Sequence, residues 1–196
     1  MKRIWIEQKV KDTDEILEVQ KILINSIPVF RTYDKDKLHL TVFHVGVPDN
    51  LYEELDKFVP NLSYENYIDM LFALLKPFVE LLPRETVLKA DSLVLLGNPK
   101  TPKIGIKLIK SSTLKRARER VIYGLEHFLL QLGVTDPQAF ILNNKNLGKS
   151  YNKDYIPHIT LGTMLVPEDP PKICLGEKLF HFEPSYIVNF DQLKLG

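Results

Sequence analysis

Lys37-Leu38-His39-Leu40-Thr41-Val42-Phe43-His44-Val45-Gly46 alternates apolar and polar residues with the two-residue period of a β-strand. Leu38, Leu40 and Val42 fall on one face, and His39, Thr41 and Phe43 on the other. Far downstream, Ile156-Pro157-His158-Ile159-Thr160-Leu161-Gly162 repeats the arrangement, with Ile159 and Leu161 against His158 and Thr160. Pro157 stands where the first copy has a leading apolar residue. In both stretches the apolar face can pack on helices while the His and Thr point away from that core. Sunk in an interior without partners, such polar groups cost a few kcal/mol (~1–3 each), whereas beside water they can bind a ligand. His44 has the opposite parity and reads as a structural residue.

Outward from these two strands, the chain reads as strand, helix, strand, given twice. Ile4 and Ile6 alternate with Arg3, Trp5 and Glu7, and an amphipathic helix follows from Asp12 or Thr13 to about Ser26. Residues 51 to 82 predict one or two helices, broken near Pro60, with Pro77 a point of kinking or ending and Leu71, Leu74, Leu75 and Phe78 an apolar stripe. Strands are expected at 86–96 and 103–109, on either side of the turn-forming Gly97-Asn98-Pro99-Lys100-Thr101-Pro102. A long helix follows from Ser112 to Leu132, capped by Ser111 or Ser112 and stopped at Gly133. The polar tract from Asn143 to Lys153 reads as an exposed loop, and strands near 155–165 and 185–195 complete the chain. Arg3-Ile4-Trp5-Ile6-Glu7 aligns with Lys103-Ile104-Gly105-Ile106-Lys107, which suggests an internal duplication. The expected fold is α+β: a single domain over residues 1–196, bilobed, with two pseudo-symmetric antiparallel-sheet lobes and outer helices flanking a central cleft.

Composition narrows the function. A chain of 196 residues with 44% hydrophobic and 26% charged residues has the profile of a soluble globular protein, and no apolar run approaches the ~20 residues of a membrane span. The amino terminus reaches Glu7 and Lys9 before any export signal can develop, and the one cysteine, Cys174, rules out an internal disulfide and a thiolate zinc cluster. Both features predict a cytoplasmic protein. A net charge of +1 disfavours coating of duplex nucleic acid, which needs many phosphate neutralisations, yet it is compatible with a small phosphate-bearing substrate. The basic run Lys115-Arg116-Ala117-Arg118-Glu119-Arg120 reads as a solvated helix face.

Two histidines can carry phosphodiester cleavage unaided. One takes a proton from the attacking water or hydroxyl and the other protonates the departing oxygen. Imidazole, with an ordinary pKa of about 6.5, serves either role near neutrality. Threonine hydroxyls two residues along can donate to the non-bridging oxygens as negative charge develops. His39 and His158 are thus the catalytic candidates, and Thr41 and Thr160 the phosphate-binding ones.

KLHLTVFHVG at 37–46 and IPHITLG at 156–162 together resemble the paired signature motifs of the 2H phosphoesterase superfamily, which includes RNA 2′,3′-cyclic phosphodiesterases and 2′-5′ RNA ligase-like proteins. The resemblance extends in order over most of the chain, and residues 60–83 fit it least well, as an inserted helix would. It implies a bilobed fold, no metal, no cofactor, a 2′-phosphate product, and the four residues above as the phosphate-handling set. The partner it implies is a nucleotide or an RNA end, and a monomer is expected.

Trp5 falls on the cleft side by strand parity and is a candidate stacking surface for a base or ribose. Lys103 and Lys107 share that parity in the second half and read as ordinary surface lysines. His127, in the long helix, and His181, near an expected turn, lack a threonine at the paired position and read as structural. Two alternatives to the cyclic phosphodiesterase stay open: a nucleotide-binding module of the same fold without turnover, and a hydrolase of a cyclic or 2′-5′-linked oligonucleotide signal.

Overall fold

The computed structural model describes residues 3–81, 86–144, 147, 151 and 155–188. The chain runs through β1 (Ile4–Lys9), α1 (Asp14–Ser26), β2 (Phe30–Thr32), a single 3-10 turn (Lys35–Lys37), β3 (His39–Gly46), α2 (Pro48–Leu55) and α3 (Tyr64–Leu81). It continues with β4 (Thr86–Leu96), β5 (Lys103–Leu108), α4 (Ser112–Gln131), α5 (Pro137–Asn143), β6 (His158–Met164), β7 (Leu179–Phe182) and β8 (Tyr186–Val188).

The strands form one antiparallel path, β7-β4-β5-β6-β3-β1-β8, with β2 added to β6. Two half-sheets are visible in it. One has β3 beside β1, the other β6 beside β5, and the two histidine strands meet at the pair Leu40–Ile159. Val10, just past β1, bridges back to Phe182 at the end of β7, so the first strand of the path touches its last-but-one and the sheet curls. The core lies on the face carrying Ile4, Ile6, Leu40, Val42, Ile104, Ile106, Ile159 and Leu161, all fully buried.

The helices cover that face by their apolar spacing. α4 buries Leu114, Arg118, Val121, Leu125, Phe128 and Leu129, three and four residues apart, and Ser111 caps it by accepting from Leu114 N at 3.1 Å. Gly133, at φ 85°, supplies the left-handed turn that stops it. Pro77 lies inside α3 and does not end it. α3, where an inserted helix was expected, buries Tyr67, Ile68, Leu71 and Leu75 and packs against α4 and β8. The helices also cross between halves, since α1, which follows β1, packs on β2 and β6, while α4, which follows β5, packs on β3.

Several elements differ from the sequence reading. β2, α5 and β7 are short elements it did not anticipate; Phe30-Arg31-Thr32 and Leu179-Phe180-His181-Phe182 show no clear apolar–polar alternation, and seven residues make barely two helical turns. His181 accordingly sits in β7 rather than at a turn. In the tract read as an exposed loop, Asn144 and Leu147 are buried: the Asn144 side chain donates to Glu54 at 2.9 Å and accepts from Leu147 N at 3.0 Å. Residues 145, 146, 148–150 and 152–154 of that tract, and 189–195 of the last expected strand, lie outside the described residues. No described helix is long and apolar enough to cross a membrane.

Candidate active site

The antiparallel pair Leu40–Ile159 brings His39 alongside Thr160 and Thr41 alongside His158. Leu40 and Ile159 point into the core at zero exposure, so the four polar side chains share the opposite face, each partly exposed. The spacing of two residues that looked suggestive in each strand becomes, in the pairing, one compact set of two imidazoles and two hydroxyls.

The same local device builds both halves. Along β1 and β3, Ile6 pairs with Phe43 and Glu7 with Thr41, skipping Val42. Along β5 and β6, Ile104 pairs with Gly162 and Gly105 with Thr160, skipping Leu161. Each skipped residue is a β-bulge one position past the threonine, and each leaves a carbonyl that the ladder does not satisfy. Arg118 of α4 donates to the Val42 carbonyl, and Gln20 of α1 donates to the Leu161 carbonyl at 2.8 Å, joined there by Tyr33 N at 2.7 Å. Arg118 lies over the Tyr155 ring at 3.5 Å, and the Tyr155 hydroxyl donates to the Thr41 carbonyl at 2.7 Å. Burial works against the Arg118 charge, and Tyr155 opposes that effect. A cavity of about 480 Å³ behind Arg118 and Tyr155, reaching Leu114 and Ile122, is lined by none of the four site residues.

These bulges correct two expectations. They align Glu7 with Gly105 and Ile6 with Ile104, so the two half-chains correspond with an offset of two residues from the alignment read in the sequence. They also reverse strand parity beyond Val42. Phe43 is buried, and His44 is exposed on the same side as Thr41, its ring 6.5 Å from that of Trp5. A strand read without its partner shows no slip, which is why His44 looked core-facing.

Both imidazoles are held alike. His39 Nδ1 lies 2.8 Å from the Lys37 carbonyl and His158 Nδ1 lies 2.7 Å from the Ile156 carbonyl. A carbonyl only accepts, so each Nδ1 carries the proton and each Nε2 is the nitrogen left for chemistry. Burial, opposed by the Ile156 contact and reinforced by His39 and Lys103, pushes His158 below the ordinary imidazole range and favours its neutral form.

The surroundings are not alike. Next to His39, Glu7 is 3% exposed. It accepts from Trp5 Nε1 at 2.6 Å and from the Tyr186 hydroxyl, and it lies 3.2 Å from Lys9 Nζ and 3.5 Å from His39 Nε2. Burial opposes its ionisation, but Tyr186, His39, Trp5 and Lys9 outweigh that and hold its carboxyl below the usual range. On the His158 side stand Tyr33 and Lys103, with Lys103 Nζ 5.7 Å from the Tyr33 ring centre. Burial of Tyr33 is outweighed by Thr163 and Lys103 beside its hydroxyl, which hold it below the ordinary phenol range.

Trp5 lies where parity put it, its ring 6.5 Å from that of His39. Lys107 stands opposite His158 in the β5–β6 ladder and forms an ion pair with Asp91 at 2.5 Å, while Lys103 adds to the positive field at His158. His127 is exposed on α4 and His181 exposed on β7. Glu7 and Tyr33 are site neighbours that the sequence candidates do not include. Glu7 shares the parity of Trp5, which was the available signal, whereas Tyr33 precedes the 3-10 turn and had none. Among the described residues no group of three His, Cys, Asp or Glu side chains could hold a metal ion.

No protein-family model and no curated protein matches the chain. Its fold is that of two solved structures. TT0787 of Thermus thermophilus superposes with a TM-score of 0.59 at 18% identity, over 95% of this chain and 87% of that one. E. coli LigT, solved in complex with 3′-AMP, superposes with a TM-score of 0.52 at 14% identity, over 94% of this chain and 86% of that one.

Proposed function

We propose that this chain is a metal-independent phosphodiesterase of the 2H phosphoesterase type, acting on a 2′,3′-cyclic or 2′-linked phosphate of a nucleotide or RNA end. The observation that carries the reading is the meeting of His39, Thr41, His158 and Thr160 on one face at the junction of β3 and β6. A nucleotide held by a protein of the same fold, LigT with 3′-AMP, supports the substrate class, and the paired motifs support the family.

In this reading a phosphate sits between the two strands, and its non-bridging oxygens accept from the Thr41 and Thr160 hydroxyls. One imidazole Nε2 removes a proton from water, whose oxygen attacks phosphorus. The bond from phosphorus to the ribose 3′-oxygen breaks, and the second imidazole protonates that oxygen, leaving a 2′-phosphate. Both Nε2 atoms are available because backbone carbonyls occupy both Nδ1 atoms.

The test is incubation with 2′,3′-cyclic mononucleotides, cyclic dinucleotides and 2′-5′ oligoadenylate, with and without EDTA. Turnover that persists in EDTA and falls by about 10²–10⁴ in His39→Ala and in His158→Ala, but not in His127→Ala, is the expected result. Nucleotide binding without turnover overturns the catalytic reading in favour of a binding module, and loss of activity in EDTA overturns the two-histidine chemistry.

A further inference from the structure

We propose that Glu7 holds the leaving-group proton on His39, so that His39 is the general acid and His158 the general base. The assignment rests on the phosphodiesterase reading above and adds a residue and a direction to it.

Its basis is the difference between two sites that are otherwise alike. His39 Nδ1 donates to the Lys37 carbonyl, and its Nε2 lies 3.5 Å from Glu7 Oε2. The Nδ1 of His39 is thus held by a carbonyl while its Nε2 faces a carboxylate, whose negative field favours a proton on that nitrogen. At 3.5 Å the carboxylate is beyond the ~2.7–2.9 Å of a charge-assisted hydrogen bond. It acts through its field, and the Nε2 proton stays available to a substrate oxygen.

Among the described residues no carboxylate is paired with His158 as Glu7 is with His39. The position matching Glu7 is Gly105, where a Cβ would meet the Ile159 carbonyl oxygen at 2.9 Å, so the backbone there leaves no room for a side chain. Among the described residues, the charged groups that act on His158 are His39 and Lys103, both cationic when protonated.

Glu7 is also built to stay in place. Trp5 Nε1 holds Oε2, while the Tyr186 hydroxyl and Lys9 hold Oε1, and the carboxylate is almost closed to solvent. A carboxylate beside a phosphate site repels the substrate, an effect that Lys9 offsets only in part. Removing its charge while keeping its shape should therefore slow the proton donation without weakening binding. In the reaction His158 Nε2 takes a proton from water, and the water oxygen bonds to phosphorus. The electron pair of the breaking P–O bond goes to the ribose 3′-oxygen, which takes the proton of His39 Nε2. Proton exchange with solvent then resets both rings.

The experiment compares leaving groups in Glu7→Gln. With 2′,3′-cyclic AMP the departing group is a ribose alkoxide that needs a proton, and with bis(p-nitrophenyl) phosphate it is a phenolate that does not. The expected result is a kcat lower by about 10- to 100-fold on the cyclic nucleotide, KM not raised, and a change of less than about threefold on the aryl ester. Tyr186→Phe, which removes one hold on the carboxylate, should give the same bias more weakly, and His158→Ala should lose both activities. Equal losses on both substrates, or a raised KM with unchanged kcat, overturn the assignment and leave the phosphodiesterase reading standing. A wild-type protein inert on both substrates and on the whole nucleotide panel above removes that reading and the assignment with it.

Discussion

Arg118→Met tests whether the Val42 bulge depends on its helix-borne cap. Arg118 is 7% exposed, donates to the Val42 carbonyl and stacks on Tyr155 at 3.5 Å. Methionine keeps the stem but removes the donor, leaving the Val42 carbonyl short of a partner. Loss of a hydrogen bond to a charged group costs about 1.5–3 kcal/mol. The ring contact adds about 1–2 kcal/mol. Release of the guanidinium from a desolvated position returns part of this, so the net destabilisation should be about 2–3 kcal/mol. For a chain of this size that lowers Tm by about 4–12 °C. Urea and thermal unfolding followed by circular dichroism read the change directly. Because the Tyr155 hydroxyl also holds the Thr41 carbonyl, turnover should fall at temperatures where the variant is still folded. A Tm within about 1 °C of wild type would refute the view that the bulge needs this cap, and with it the reason offered for a buried arginine in a run of sequence that looks solvent-facing.

Stability should fall as pH drops below neutrality through His158. Unfolded, this imidazole takes a proton near pH 6.5, and folded it does so only at lower pH, so between the two the unfolded chain binds more protons. Tm of wild type should therefore decline relative to His158→Gln as pH falls below about 6.5, and parallel curves for the two proteins would contradict it. Gly162→Ala should cost several kcal/mol (~2–4) or detach β2, since a Cβ there would lie 2.2 Å from the Arg31 carbonyl oxygen; hydrogen exchange at Phe30–Thr32 reads the detachment. Trp5→Ala should weaken nucleotide binding by about 5- to 100-fold if a base stacks on the indole, measured by calorimetry, and unchanged affinity would place the base elsewhere.

Much of the site was legible because its signal is local. Alternation along 37–46 and 156–162 told which side chains share a face up to the bulge, and it correctly grouped each histidine with its threonine. The Ser111 cap, the Gly133 stop and the bounds of β4 are likewise written in a few adjacent residues. β2, α5 and β7 were missed because their few residues show neither a clear alternation nor enough helical turns to choose a period.

Which strand becomes a neighbour is a different kind of fact. Residues 37–46 alone specify that His39 and Thr41 project together, but only pairing with β1 makes the ladder slip at Val42 and turns His44 outward. Glu7 is one carboxylate on an edge-like strand until β3 and β8 bring His39 and Tyr186 to it from opposite sides. Local alternation is set by backbone geometry within each segment, so the two His–Thr faces can be read from adjacent residues alone. Register, bulges and the asymmetry between Glu7 and Gly105 are set by contacts between segments far apart in the chain, and they exist only once those segments have packed together.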